Sequence, residues 1–452
     1  MDNRNIEEEA LLYHSHGRPG KTEVTPTKPH STPQELALAY SPGVAAPAAA
    51  ISKERWQAYR YTNKGNLVAV VSNGSAVLGL GNIGATASKP VMEGKAMLFK
   101  IYADIDAFDI EIGESNADKF VTTVQEISPT FGAINLEDIK APDCFYIEER
   151  LRTLLGIPVM HDDQHGTAVT VAAALLGAAE IAGKQLHSLK IVISGAGAAA
   201  IATARTLTQL GVKREQITMV DSKGVINVSR SMLHPYKALF ATTDTSLTTL
   251  AQAMNGSDAF IGLSAGNIVT REMVCTMAAN PIIFALANPT PEISYNDAKA
   301  ARPDAIMATG RTDTPNQINN AIAFPYLFRG ALDTLATSIN REMLTAAIKA
   351  INHLAHEPVP EEIKKLYNRE LKFGRDYILP KMGDPRLLTT VSAAVARAAM
   401  KSGIARRAIP SWSEYEEQLH CRTHPETHHC HHPHNGGKEQ LHKRYNKGMN
   451  QL

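Results

Sequence analysis

Residues 189–204 read LKIVISGAGAAAIATA, an apolar run that stops at a glycine turn and resumes as a pattern of small helix-compatible residues. Gly195, Gly197 and Ala200 fit the spacing G-x-G-x-x-G/A between a strand and a helix, the context in which that spacing binds a dinucleotide. The segment Gly195-Ala196-Gly197-Ala198-Ala199-Ala200 is therefore the candidate cradle for NAD or NADP: glycines let backbone approach a pyrophosphate, and the helix start offers N–H groups and a positive dipole end. The run ITMVD ends further on at Asp221. A carboxylate there would accept a ribose 2′-hydroxyl and favour NAD, whereas Lys223 and Arg230 close by would suit a 2′-phosphate, so both cofactors stay open. Apolar strands in QITMVD, DAFIGL, NPIIFAL and DAIMAT recur between helical patterns, which predicts an α/β fold with a parallel, doubly wound Rossmann-type sheet.

Towards the N-terminus, LVAVVSNG, AVLGLG and the KAMLFKIYADIDAFDIEI stretch read as buried strands with a helix, a further α/β domain. Gly79, Gly81 and Gly84 in VLGLGNIG match the glycine spacing again, but the following ATASKPVMEGK is a poor helix start, so this run is expected as a backbone-lined wall of the active site. The expected division is an N-terminal catalytic domain over 1–160, a dinucleotide-binding domain with C-terminal helices over 161–409, and a tail over 410–452 without order. That tail carries eight of the chain's 17 histidines together with Cys421 and Cys430, a composition that could bind soft metals and cannot build a core.

Between the two glycine turns stand two acidic pairs, Glu137-Asp138 in NLEDIK and Asp162-Asp163 in MHDDQHGTA, both expected where strands end and loops begin. Four carboxylates cannot share a pocket while ionised unless a cation neutralises them, and oxygen donors suit a hard divalent ion. His161 and His165 flank the second pair and read as hydrogen-bonded neighbours rather than ligands. A metal site beside a hydride acceptor points to oxidation of an alcohol.

With 46 Lys+Arg against 45 Asp+Glu, charge balance argues against nucleic acid or an anionic membrane as partner, which leaves small molecules. Four scattered cysteines, no basic-then-apolar leader at the acidic start MDNRNIEEEALLYH and no membrane-length apolar run give the expectation of a cytoplasmic protein.

The runs YSPGVAAP, VLGLGNIGATASKPVMEGKAMLFK, NLEDIKAPDCFYIE, MHDDQHGTA, FALANPTPE and ATGRTDTPNQINNAIAFPYLFRGAL together resemble bacterial malic enzymes, specifically the form often fused to a phosphotransacetylase-like domain, here without that domain. The resemblance spans about Gly17 to Ile409. It implies oxidative decarboxylation of L-malate to pyruvate and CO2 with NAD or NADP and Mg2+ or Mn2+, activity on oxaloacetate, and a homodimer or larger assembly with Tyr40 near the interface. By the same resemblance Tyr40 is the general acid, Lys95 the general base, Glu137, Asp138 and Asp163 the metal ligands, and Asp162 a neighbour that tunes them. Lys95 could act as base near neutrality only with a depressed pKa. Asn288, Asn319 and Asn320 match substrate and nicotinamide contacts. The larger eukaryotic-type enzymes carry an arginine before the LGLG run; here Ala76-Val77 precede Leu78, so carboxylate binding falls to Ser72, Asn73 or backbone near Gly74. The competing expectations are a malolactic reaction on the same scaffold, an amino-acid dehydrogenase without metal, and metal buffering by the His-rich tail.

Overall fold

The computed structural model describes residues 3–77 and 79–423. Two sheets organise the chain. In the first, β1 (Leu67–Ser72), β2 (Asp106–Glu111), β3 (Ala133–Leu136) and β4 (Val159–His161) run parallel in the order β2-β1-β3-β4. Every residue of β1 is buried, as a continuous Leu-Val-Ala-Val-Val run in a parallel sheet covered on both faces should be. The second sheet contains β5 (Ile191–Ser194), β6 (Ile217–Asp221), β7 (Gly224–Val225), β8 (Ala259–Gly262), β9 (Ile282–Ala285) and β10 (Ile306–Thr309), in the order β10-β9-β8-β5-β6-β7. It is parallel except for β7, which pairs antiparallel with β6. From β5 the chain winds first to β6 on one side and later to β8 on the other, so the crevice between β5 and β8 is the topological switch point where ligands bind in such sheets.

The Asp162–Ile181 helix joins the sheets, and its alanines allow close approach: Ala168, Ala172, Ala173, Ala174 and Ala178 are all buried. One apolar cluster runs through both sheets and the C-terminal helices. The Phe324–Asp333 helix, expected with the second domain, also seals the first: Phe324 and Phe328 meet Phe99 edge to face at centroid distances of 4.8 and 5.2 Å. No helix among the described residues is long and apolar enough to cross a membrane.

Four local expectations are corrected. The described residues of AVLGLG form a turn and not a strand: Gly79 and Gly81 take φ of +75° and +73°, and Val77 bridges back to Gly81. ATASKPVMEGK does open a helix, Ala85–Ala103, despite Pro90, because Met92, Lys95, Ala96, Phe99 and Ala103 at helical spacing all bury. The second acidic pair does not lie in a loop; Asp162 and Asp163 begin the Asp162–Ile181 helix, where negative charge complements the dipole. Residues at the start of the expected tail form the Trp412–Thr423 helix, with Tyr415 and Leu419 buried. Tyr415 donates to Asp333 Oδ2 at 2.8 Å, and Arg422 reaches Asp104 Oδ2 at 3.2 Å. The rest of the His-rich tail lies outside the described residues.

Candidate functional site

The ends of β3 and β4 and the middle of the Ala85–Ala103 helix bring one lysine among four carboxylates. Lys95, only 7% exposed, places Nζ 2.6 Å from Asp162 Oδ2 and 2.9 Å from Glu137 Oε1, with the Phe324 ring centroid 4.1 Å away. Burial alone pushes the Lys95 ammonium down, but the charges of Asp162 and Glu137 outweigh it and the net shift is upward. That corrects the expectation of a depressed lysine: its partners, distant in sequence, hold the proton on.

The carboxylates respond the other way. Burial, reinforced by mutual repulsion, raises Glu137 well above the usual range despite Lys95, and pushes Asp138 up to about 8. Asp162 is raised by burial against the pull of Lys95. Glu137, Asp138 and Asp163 each present an oxygen within 4.8 Å of the others. Asp138 Oδ2 and Asp162 Oδ1 are buried without a hydrogen-bond partner. An all-oxygen donor set with excess negative charge and an unpartnered acceptor fits a hard divalent cation such as Mg2+ or Mn2+, and not the thiolate or imidazole preference of softer metals.

Local sequence explains the placement. After β3 the backbone turns through Asp138 at φ +53°, and Asp138 N–H donates to Asp163 Oδ2 at 2.8 Å, tying the two acidic pairs together. Asn135 Nδ2 donates to Glu137 Oε2 at 2.9 Å. Glu148 fixes the β4-to-helix junction from the Asp143–Leu154 helix: it accepts His161 N–H at 3.0 Å and Gln164 Nε2 at 3.2 Å, and lies 3.0 Å from His165 Nε2. Burial works against the Glu148 charge, yet His165 and the other donors hold the carboxyl down at about 2. Gly166 leaves room for Asp162, since a Cβ there would stand 1.9 Å from Asp162 Oδ1.

Sequence reasoning missed Glu148, Gly166 and Phe324. For the first the signal was present: Cys144, Ile147, Glu148 and Leu151 form one buried helical stripe, and an acid on such a stripe demands partners. The glycine inside an alanine-rich helix was a comparable cue.

At the switch point, Gly195 takes φ +113° and its N–H donates to Val220 O at 2.7 Å. A Cβ there would lie 2.3 Å from Leu263 O, so only glycine fits between β5 and β8. Around Gly197 no atom lies within 4 Å of a would-be Cβ, and the Ala198–Gln209 helix starts immediately after, with Ala198 and Ala199 half-buried and Ala200 buried. This leaves an open cradle of backbone N–H groups that a pyrophosphate fits. Glu292 supports it from below, accepting from Ser264 N–H and Ala287 N–H at 3.0 Å each and so joining the loops after β8 and β9.

Asn320 Nδ2 donates to Asp162 Oδ2, which links the second sheet's last loop to the cluster. Asn319 is half-buried and its Oδ1 accepts Ala321 N–H at 2.9 Å. Asn288 is half-buried with its amide over Gly310, and its carbonyl backs the Gly79 turn. Ser72 is fully buried and its hydroxyl accepts Gly74 N–H at 2.9 Å, while Asn73 Oδ1 accepts from Ser75. Gly74, at φ +63°, packs where a Cβ would meet Gly84 O at 2.2 Å. Tyr40 is not brought to the cluster within one chain: it caps the Pro33–Ala39 helix and is 77% exposed.

A Rossmann-type sheet with an open glycine cradle, set beside a buried lysine and four carboxylates, defines a dinucleotide-binding protein with a cation-seeking site. The family description "Malic enzyme, N-terminal domain" matches residues 19–152, and "Malic enzyme, NAD binding domain" matches residues 164–401. The chain belongs to the malic enzyme family. It is 53% identical over 416 residues to the NADP-dependent malic enzyme of Haemophilus influenzae, covering 92% of this chain and 55% of that protein. It thus spans about half the length of that relative. The Halomonas elongata NADP-dependent malic enzyme is 53% identical over 403 residues, covering 89% of this chain and 95% of that protein. Among solved structures, the malic enzyme of Pyrococcus horikoshii superposes with a TM-score of 0.84 at 42% identity, covering 93% of this chain and 96% of that one.

Proposed function

We propose that the chain oxidatively decarboxylates L-malate to pyruvate and CO2 with reduction of NAD or NADP, and that Glu137, Asp138 and Asp163 hold the Mg2+ or Mn2+ it uses. The observation that carries this reading is Lys95 locked between Asp162 and Glu137, the latter one of three carboxylates that need a cation. When bound, the cation would keep those carboxylates ionised and polarise the substrate oxygen, and the dinucleotide would accept the hydride from C2.

The chain's own residues do the rest. Lys95 takes the C2 hydroxyl proton as hydride leaves. For that it must first be neutral, and Asp162 Oδ2, 2.6 Å away, is the acceptor in place for its resident proton. Asn320 steadies the same Asp162 oxygen. Loss of the C4 carboxylate as CO2 leaves the bonding electron pair in the enolate of pyruvate, and Tyr40 protonates its C3 to give pyruvate. Ser72, Asn73, Gly74, Asn288, Asn319 and Asn320 are assigned to shaping and lining the substrate and nicotinamide pocket; of these, Ser72 acts through the turn it closes.

Tyr40 is exposed, as are Leu36, Leu38, Val44, Trp56 and Tyr61 in the same N-terminal segment. A homodimer that covers Tyr40 and these side chains would bring Tyr40 out of water and towards a lysine-carboxylate site. The domain division at 160/161 is retained, with the dinucleotide cradle in 161–409.

The test is reduced-nicotinamide absorbance and product analysis on adding L-malate and Mn2+, with a chelator control. Chelator-sensitive signal with pyruvate supports the reading. Lactate without net cofactor reduction would replace it with the malolactic reaction, and turnover insensitive to chelator would remove the metal role.

A further inference from the structure

Asp221 stands where dinucleotide-binding sheets place the acid that accepts the ribose 2′-hydroxyl. Its position is right: it follows Val220, whose carbonyl receives Gly195 N–H at 2.7 Å, so it lies beside the glycine cradle. Its hydrogen-bonding capacity is already used. Oδ1 accepts from Lys223 N–H at 3.0 Å and Arg230 Nη1 at 2.9 Å; Oδ2 accepts from Arg230 Nη2 at 3.1 Å and Lys237 Nζ at 2.9 Å. A carboxylate has about four acceptor sites, and all are taken, leaving none for a ribose hydroxyl.

What the arrangement presents instead is two fixed cations. Arg230 is held by the bidentate pair and reaches Gly224 O at 3.3 Å. Lys237 sits on the Pro235–Ala238 turn, where the neighbouring Tyr236 is wedged between Phe145, 4.3 Å between centroids, and Arg205, 5.1 Å from its ring. Both side chains stay reachable, at 20% and 33% exposed, and both keep unused donors. Two cations against one carboxylate leave a surplus positive charge, to which Lys223 adds. A phosphate monoester carrying nearly two negative charges matches that surplus; a neutral hydroxyl does not.

We propose that Arg230 and Lys237, pre-positioned by Asp221, form a site for the 2′-phosphate of NADP and make the chain select NADP over NAD. This rests on the dinucleotide-dependent reading above and names the cofactor it uses. Asp221 becomes a positioning residue for the cations rather than a ribose ligand.

The test is calorimetric titration of the full chain, without malate, using adenosine 2′,5′-bisphosphate and adenosine 5′-monophosphate as probes. The wild type should bind the bisphosphate about ten- to a hundredfold tighter, the value of one or two charge-assisted hydrogen bonds. Arg230→Gln with Lys237→Gln should shrink that preference to about twofold and leave the monophosphate unchanged. Asp221→Asn should keep monophosphate affinity, because its carboxylate does not touch the ribose. Equal binding of the two probes by the wild type, an unchanged preference in the double variant, or loss of monophosphate binding in Asp221→Asn would each overturn the proposal. Preference for the bisphosphate in a protein that does not turn over malate would leave this site standing and reject the malate reading alone.

Discussion

Glu148→Gln tests how the site is held. Glu148 is buried and receives His161 N–H and Gln164 Nε2 at 3.0 and 3.2 Å, so it fixes the residues on either side of Asp162 and Asp163. Its pKa falls from an ordinary 4.5 to about 2, through its partners His165 and His161 prevailing over burial. At roughly 1.4 kcal/mol per pH unit that drop is worth about 3 kcal/mol of folding stability. Breaking a buried charged hydrogen-bond network by removing one partner costs about 3–5 kcal/mol by a separate route, so the two magnitudes agree. The sign follows from a depressed acid: the contribution is full above the unfolded pKa and is lost as pH falls through about 2. Denaturant unfolding near neutral pH should therefore show the variant about 3 kcal/mol less stable, the gap narrowing on acidification below about pH 4. Mn2+ affinity, read by calorimetry, should fall about ten- to a hundredfold, as when partners of metal ligands are lost. A variant within about 0.5 kcal/mol of wild type, with unchanged Mn2+ affinity, would refute the reasoning.

Three further outcomes are expected. With chelator present, Asp138 retains its proton up to about 8; a raised acid stabilises below its unfolded pKa and that contribution is lost as pH rises through the folded value. Chelated protein should therefore lose melting temperature between about pH 4 and pH 8, and the rise produced by Mn2+ should be larger at the upper end; a pH-independent rise would contradict this. Gly166→Ala, which in an ordinary helix stabilises by up to about 1 kcal/mol, should here destabilise by about 1–3 kcal/mol and cut turnover, because its Cβ would collide with Asp162; a stabilised, active variant would show that the clash is absent. Tyr415→Phe removes one bond from Asp333, which also holds the buried Arg329, and should cost about 1–2 kcal/mol in chemical denaturation without changing turnover.

Most strands of the parallel sheets were readable because they are short apolar runs bounded by turns, the half-buried Asp-Ala-Phe-Asp-Ile-Glu of β2 excepted, and β5 with its glycines carried its own context. The metal-type cluster was readable as paired acids. What local pattern could not supply were effects of distant partners. Lys95 is charged because Asp162 and Glu137 meet it in space. Local pattern left Asp221 open between two cofactors, and only the folded chain brings both Arg230 and Lys237 onto its carboxylate. SWSEYEEQLHCRT is poor in aliphatics, yet Tyr415 and Arg422 anchor it as a helix through Asp333 and Asp104. AVLGLG carries the apolar content of a strand, but its glycines at positive φ turn the chain instead. Tyr40 illustrates a further limit, since a single chain leaves it in solvent.

Lys95 as the base of a malate-oxidising site is tested by pyruvate formed per reduced nicotinamide by wild type and Lys95→Met with L-malate and Mn2+. The wild type should form one pyruvate per reduced cofactor, and the variant, still folded, should lose about 10²–10⁴ in turnover. Near-normal turnover in Lys95→Met would show that another group takes the proton.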